Sequence, residues 1–316
     1  MRTFKQMLPL LGAIVVLLLL FRIWVPTFLA PDNMLDLIQQ ISVNAIIAFG
    51  MTLVILIGGI DLSVGAMLAL VGTTTVSLLG MNESAVQSPF WLAVAVMAGL
   101  GAAAGLGIFN GVCAATTRMP PFIITLATML IARGCALRYN EGRPLHIPDQ
   151  QSLFLALGND RIFSGVVPVP VVVMLLLFAA ATVLLHSTRF GQHLYAIGGN
   201  REAARFTGIP LVRTEITVYM TCAMLTGVAG LIHSSQLYAA EPASGVMFEL
   251  NAIAAVVVGG TSFTGGRGTM FGTLLGAIII GVLDKGLNQA GVHYSLQYIV
   301  KGCVILAAVY VDVRRK

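Results

Sequence analysis

The segment Gly50–Leu70, with the sequence GMTLVILIGGIDLSVGAMLAL, decides the fold class of this chain. It contains two apolar runs that are separated by GGID. A transmembrane helix needs roughly 20 mostly apolar residues, so the first run completes one predicted span and the next begins directly after GGID. Glycine-interrupted segments of this kind often line a transport pathway instead of facing lipid.

The composition of the whole chain also indicates a membrane protein. Its 316 residues include 18 Lys and Arg and 13 Asp and Glu, while 57% are hydrophobic. A soluble domain of this size with about 25% charged residues would carry roughly 79, and it could not hide so much apolar surface. These values exclude a soluble enzyme, a disordered chain and a nucleic-acid-binding protein. The net charge of +5 is typical of basic cytoplasmic loops.

Apolar segments of spanning length recur along the chain and predict an all-α polytopic membrane protein. The length required of a spanning helix gives about ten spans, at approximately 7–30, 38–57, 62–79, 90–114, 121–138, 166–186, 215–237, 247–260, 270–288 and 296–313. The N-terminal run resembles a signal peptide, but its apolar character continues past Arg22 to Ala30. We therefore expect an uncleaved first span.

The charged residues orient these spans. If the N-terminus is cytoplasmic, eleven of the 18 basic residues fall inside, namely Arg2, Lys5, Arg118, Arg189, Arg201, Arg205, Arg213, Arg267, Arg314, Arg315 and Lys316. Nine of the 13 acidic residues fall outside, namely Asp32, Asp36, Glu83, Glu141, Asp149, Asp160, Glu241, Glu249 and Asp284. Basic residues are enriched on the cytoplasmic side of membrane proteins, and only an even number of spans places both basic ends there. We expect ten spans with both termini cytoplasmic.

A weak internal repeat relates the two halves of the chain. VILIGGIDLSVGAM (Val54–Met67) is similar to AVVVGGTSFTGGRGTM (Ala255–Met270), and the Gly-Gly pairs lie 201 residues apart. Both motifs end a span that runs from outside to inside, which predicts two parallel repeats. Chance similarity between glycine-rich apolar strings is the alternative.

No common catalytic motif is present in the sequence. GGTSFTGGRG lacks the Lys-Ser/Thr of a phosphate-binding loop, there is no GxSxG, and the five histidines and four cysteines have no metal-ligand spacing. Asp61 and Asp284 are predicted at span ends, and Arg22 and Arg133 are interpreted as the only deeper charges. An ion-coupled transporter is expected to need a carboxylate within a span. The chain is therefore predicted to be neither an enzyme nor a metal or cofactor protein, and ion coupling loses support.

Uncharged polar residues within the spans are suited to hydrogen-bond a neutral, polyhydroxylated solute. They are Asn44, Thr73, Thr74, Thr75, Asn110, Thr125, Thr128, Asn251 and Asn288. Hydrogen bonding between helices is the simpler interpretation of each. Asn44 and Asn251 both begin an NAI sequence that leads into a Gly-Gly motif, and Asp61 and Ser63 are placed to cap the next helix. The candidate residues of a translocation path are Asn44, Asp61, Thr125 and Asn251, with capping as the simpler role of Asp61.

The longest inside loop, about 188–215, contains a short predicted helix. Gly198-Gly199-Asn200 ends one element, Asn200 is placed to cap a helix over Arg201–Thr207, and Gly208 and Pro210 end it. This helix is interpreted either as a solvated connector or as a docking element for a soluble partner.

Three motifs in this order resemble one known family. Glu202-Ala203-Ala204-x3-Gly208 matches the core of the EAA loop of ABC-importer permeases, although the later I-x-L-P part is missing. GMTLVILIGGIDLSVGAMLAL, AIGGNREAARFTGI and ELNAIAAVVVGGTSFTGGRGT resemble the permeases of importers for ribose, xylose, galactose and allose. The resemblance covers residues 35–315 and is greatest to the ribose-transporting members.

This resemblance implies a permease subunit of a bacterial inner-membrane importer for a monosaccharide, first of all ribose and then allose or another sugar. It implies one permease domain over residues 1–316 in the arrangement of vitamin-B12-type permeases, paired with a second copy of itself. A cytoplasmic ATPase would hold ATP and Mg, and a periplasmic binding protein would deliver the sugar. Asn200, which caps the helix, and the motif residues Glu202, Ala203, Ala204 and Gly208 would couple the permease to the ATPase. An ion-coupled sugar transporter, a passive channel and a pure scaffold are the alternatives.

Overall fold

The computed structural model describes residues 2–81, 88–148, 150–162 and 165–314, with side chains from 7 to 310 in these ranges. Thirteen helices and four two-residue strands follow one another in this part of the chain: α1 Arg2–Trp24, α2 Pro31–Leu56, α3 Val64–Gly80, α4 Pro89–Thr116, α5 Pro121–Arg138, β1 Leu145–His146, α6 Ser152–Asn159, β2 Arg161–Ile162, β3 Val167–Pro168, α7 Val169–Ser187, α8 Arg189–Gly199, α9 Arg201–Phe206, α10 Leu211–Gln236, β4 Ala239–Ala240, α11 Phe248–Val258, α12 Met270–Gln289 and α13 Tyr294–Arg314. The strands form two small antiparallel pairs, β1 with β4 and β2 with β3. The regular secondary structure is therefore almost entirely helical, as predicted.

Seven of the described helices are long and apolar enough to cross a membrane. They begin or end as predicted to within a few residues and comprise Met7–Trp24, Pro31–Leu56, Pro89–Thr116, Pro121–Arg138, Val169–Ser187, Leu211–Gln236 and Met270–Gln289. The other three predicted spans coincide with the helices α3 and α11 and with the apolar stretch Tyr294–Tyr310 of α13. A multi-pass, all-α membrane protein is confirmed. Glu83, Asp149, Arg315 and Lys316, which entered the orientation argument, lie outside the described residues.

The two central helices, α2 and α10, are buried among the others. Every residue of α2 from Ala45 to Leu56 is buried, and α10 packs along α4 through glycines at which the backbones approach closely. A Cβ added to Gly107 would lie 2.8 Å from Tyr219 O, and one added to Gly111 would lie 2.6 Å from Ile216 Cα. Small residues of this kind allow the close helix packing that is typical of membrane proteins.

The two Gly-Gly motifs form the same type of helix end. Gly58 N–H donates to Ile55 O (2.9 Å) and Gly59 N–H donates to Val54 O (3.0 Å). In the second motif Gly260 N–H donates to Val257 O (2.9 Å), and the N–H of the next residue donates to the carbonyl of the residue before Val257. Both ends are Schellman motifs, which need a left-handed residue.

The register of this local similarity differs from the sequence alignment by one residue. The left-handed glycines are Gly58 (φ 80°) and Gly260 (φ 89°), so the equivalent positions lie 202 residues apart and not 201. The helices that precede them also differ, because α2 has 26 residues and α11 has 11. At 1.5 Å per residue α11 is about 16 Å long, which is roughly half the hydrocarbon thickness of a bilayer.

Candidate functional site

The loop between α7 and α10 contains the predicted short helix, α9. Asn200 is its N-cap, and the side-chain Oδ1 accepts the Ala203 N–H at 2.9 Å. The helix ends at Phe206, one residue before the predicted end, and Gly208 follows in the left-handed region (φ 81°). The sequence prediction of the cap and of the terminating glycine is confirmed, because both depend on local backbone chemistry.

Most of the predicted coupling residues lie on the outer surface of α9. Asn200, Glu202, Ala203 and Gly208 are exposed, whereas Ala204 is buried and holds the helix against the protein. Sequence reasoning missed Phe206, whose side chain is 87% exposed. The ring adds apolar surface to the exposed face of α9, next to charged neighbours. The signal in the sequence that could have identified Phe206 was its position in the same short helix.

A partly buried ion pair fixes α9 to α10. Arg201, the first residue of α9, pairs with Glu215 in the second turn of α10. The Glu215 side chain is only 3% exposed, while that of Arg201 is 49% exposed. The guanidinium therefore remains in contact with water and neutralises a carboxylate that would be costly to bury alone.

The preceding helix, α8, lies flat against the ends of three other segments. The Tyr195 hydroxyl donates to Gly268 O at 2.7 Å, and its ring stacks on His186 at the end of α7. Burial raises the pKa of the Tyr195 phenol, which keeps the hydroxyl protonated as a donor. Gly191 lies against Leu185 O, and Gly198 lies against Leu56 O and Gly266 N.

A buried polar network surrounds Asp61 in the first Gly-Gly turn. Asp61 Oδ1 accepts the Ser63 N–H (2.9 Å) and the Ser63 hydroxyl (2.5 Å). Asn110 Nδ2 donates to Ser63 Oγ (3.1 Å), and the Thr128 hydroxyl donates to Asn110 Oδ1 (2.6 Å). Ser63 is the N-cap of α3 but makes no side-chain capping bond. Capping in this turn is therefore performed by Asp61, which satisfies the first free N–H.

Thr125 joins the same turn from α5. Its hydroxyl donates to Ile60 O and accepts the Leu62 N–H, both at 3.1 Å. Thr125 thus holds the backbone on both sides of Asp61. The structure brings these two path candidates together, and the hydrogen bonds connect α3, α4 and α5.

Asp61 lies between the end of α2 and the start of α3, as predicted, but this turn is buried within the protein. Asp61 itself is 0% exposed. The turn that carries Asp61 also lies against α10, since a Cβ added to Gly59 would lie 2.5 Å from the Tyr219 hydroxyl. Asp61 is consequently a carboxylate deep in the helical bundle.

The other two path candidates lie apart from this network. Asn251, on α11, is 7% exposed, and its Oδ1 is 3.5 Å from Lys301 Nζ. Asn44 Oδ1 on α2 is buried and has no hydrogen-bond partner within the described residues. Lys301 also pairs with Asp284 at 2.9 Å. The prediction that Arg22 and Arg133 are the only deeper charges was therefore wrong, because it overlooked a lysine within α13 that is paired with a neighbouring helix.

The fold and these sites define a multi-pass helical membrane protein that presents a capped, exposed helix and contains a buried polar turn. The chain belongs to the permease family described as "Branched-chain amino acid transport system / permease component", which matches residues 33–309. It is a transport component and not an enzyme.

Three relatives match almost the whole chain. It is 44% identical over 306 residues to the ribose import permease protein RbsC of Escherichia coli K12, covering 96% of this chain and 92% of the relative. It is 45% identical over 304 residues to RbsC of Bacillus subtilis 168 (96% and 91%). It is 34% identical over 304 residues to the L-arabinose transport system permease protein AraH of E. coli K12 (95% and 89%). No solved structure matches the chain.

Proposed function

We propose that this chain is the permease subunit of an ATP-driven importer of a monosaccharide, with ribose as the first candidate. The observation that carries the proposal is the difference in identity between its relatives. Two ribose permeases are 44% and 45% identical over 96% of the chain, whereas the arabinose and galactose permeases are 34% and 36% identical over 95%. Allose and other sugars remain the competing substrates.

The proposed architecture is one permease domain over residues 1–316 with ten spans and both termini in the cytoplasm of a bacterial inner membrane. Three of these spans are α3, α11 and α13, of which α11 is the shortest with 11 residues. A half-length helix such as α11 is tolerated at membrane depth where other helices cover its ends. Two copies of the chain, each with two parallel repeats in the arrangement of vitamin-B12-type permeases, enclose the path.

The energy source is a cytoplasmic ATPase that binds ATP and Mg and docks on α9 within the loop at about 188–215. Asn200, Ala203, Ala204 and Gly208 set the position and ends of this helix, and Glu202 contacts the partner. A periplasmic binding protein delivers the sugar from the opposite side. The permease itself has no phosphate-binding loop in its sequence, which is consistent with this division.

Alternating access is the proposed mechanism. Closure of the ATPase pushes α9 and rocks the two copies, so that the path opens alternately to either side. Asn44, Asp61, Thr125 and Asn251 are the candidate path residues. The Oδ1 of Asn44 is buried and has no hydrogen-bond partner in the described part of the chain. This supports its inclusion, since a sugar hydroxyl is a suitable donor.

Uptake of labelled ribose, allose, arabinose and galactose by a strain lacking its own ribose permease tests the proposal. We expect ATP-dependent uptake of ribose that requires the ATPase and the binding protein. Uptake that persists after ATP depletion would contradict it in favour of a channel or an ion-coupled transporter. Preference for another sugar would contradict only the assignment of ribose as the substrate.

The coupling assignment has a matched pair of variants. Gly208 and Gly165 both have a left-handed φ (81° and 83°) and no atom within 4 Å of an added Cβ. Gly208→Ala is expected to abolish most uptake while the protein still inserts, whereas Gly165→Ala, which strains the backbone equally, is expected to leave uptake intact. Glu202→Ala should resemble Gly208→Ala. Normal uptake by both coupling variants contradicts the assignment.

A further inference from the structure

The two Gly-Gly turns are in direct contact with each other. Gly266 N–H, in the segment after the second turn, donates to Leu56 O at the end of α2 (2.9 Å). A Cβ added to Gly265 would lie 2.8 Å from Leu56 O and 3.0 Å from Gly58 N. The end of α2 and the segment that leads into α12 therefore touch through their backbones.

Helix α8 covers this contact and touches both sides of it. A Cβ on Gly198 would overlap Leu56 O and Gly266 N, so only glycine allows α8 to approach this closely. One turn earlier, the Tyr195 hydroxyl donates to Gly268 O (2.7 Å). Both contacts lie on the same face of α8, because residues three apart are neighbours on a helix surface.

No flexible linker separates α8 from α9. The single connecting residue is Asn200, whose N–H donates to Ala196 O (3.0 Å) in α8 and whose carbonyl accepts the Ala204 N–H (2.9 Å) in α9. Each backbone bond of Asn200 thus ties it to one of the two helices. The two helices are therefore joined through one hydrogen-bonded residue.

We infer that Tyr195 and Gly198 are positioning residues that make α9 and the two Gly-Gly turns move as one body. This inference rests on the proposed function, in which α9 receives the push of the ATPase. The turns precede α3 and α12, and the first turn contains Asp61. Movement of α9 is thereby applied to both halves of the permease at once.

A merely structural role of these residues makes a different prediction. If α8 only stabilises the fold, variants lower the amount of assembled transporter, and sugar transport and ATP hydrolysis fall together. If α8 transmits movement, the assembled transporter continues to hydrolyse ATP but moves fewer sugar molecules per ATP. The ratio of sugar transported to ATP hydrolysed separates the two roles.

The test uses the complete importer, with ATPase and binding protein, reconstituted in proteoliposomes with labelled ribose. Tyr195→Phe keeps the ring and removes only the bond to Gly268. Loss of this hydrogen bond is expected to lower the ratio of sugar transported to ATP hydrolysed by about fivefold. This shift corresponds to a hydrogen bond of about 1 kcal/mol. Gly198→Ala is expected to lower the ratio further. Gly199→Ala is the control, because nothing lies within 4 Å of its added Cβ.

The outcomes are distinct. A lower ratio for Tyr195→Phe and Gly198→Ala with normal ATPase copurification, and an unchanged ratio for Gly199→Ala, supports the inference. Should Gly198→Ala fail to assemble, Tyr195→Phe alone decides. An unchanged ratio for Tyr195→Phe overturns the inference while leaving the proposed function intact. Absence of ATP-dependent uptake by the wild-type importer overturns both.

Discussion

Replacing Asn200 by alanine is expected to weaken coupling without disturbing the membrane helices. The substitution removes the 2.9 Å bond to Ala203 N–H from a helix of only six residues. Loss of an N-cap costs about 1 kcal/mol, and isolated helices shorter than about 12 residues are already marginal in water. Because about 1.4 kcal/mol corresponds to a tenfold change in an equilibrium, we expect about a fivefold lower population of the docked helix.

The assay is binding of the purified ATPase to the permease in detergent, with ribose uptake measured in parallel. Asn200→Asp and Asn200→Ser retain an oxygen that can accept the same N–H, so both are expected to restore binding to near the wild-type value. The unfolding temperature of the permease should be the same for all three variants. If Asn200→Ala binds the ATPase normally, or if Asn200→Asp fails to rescue, the cap does not set the coupling geometry.

Three further variants test other contacts. Phe206→Ala should weaken ATPase binding by more than about tenfold, because burying a phenylalanine is worth about 1.5–3 kcal/mol; unchanged binding refutes this contact, and the unfolding temperature is the control. Arg201→Ala should lower the unfolding temperature more than Glu215→Gln, since it leaves a buried carboxylate unpaired whereas the half-exposed guanidinium still reaches water; the opposite order contradicts this reasoning. Asp61→Asn retains the acceptor for the Ser63 N–H and should preserve the fold, whereas Asp61→Ala should destabilise it by about 1–3 kcal/mol, and equal thermal stability of the two variants would disprove that role.

The features of α9 could be predicted because their causes are local. A side-chain acceptor at Asn200 and a residue tolerating positive φ at Gly208 act within one or two turns of the chain. The same holds for most helix bounds, since the length of an apolar run determines where it leaves the membrane. The identity and ends of α9 therefore required no knowledge of packing.

The depth of Asp61 could not be predicted because it depends on which helix lies beside it. In the sequence, Asp61 follows an apolar run and marks its end. In the structure, Gly59 of this turn approaches the Tyr219 hydroxyl of α10, so the turn that carries Asp61 lies within the bundle. The pairing of Lys301 with Asp284 is equally long-range, and counting charges along single spans cannot reveal a partner on the next helix.

The two helices of the cytoplasmic loop are constrained by different physical properties. At Gly198 the limit is size, because backbone atoms from Leu56 and Gly266 occupy the space of a side chain. On the outer face of α9 no atom of the described chain restricts the size of a side chain, and Phe206 is exposed. The constraint there is the charge and apolarity that the residues present to a partner. Enlarging a residue is thus expected to matter on α8, and changing charge or apolarity is expected to matter on α9. A loop that served only as a solvated connector would show neither pattern, because its residues would tolerate both kinds of change.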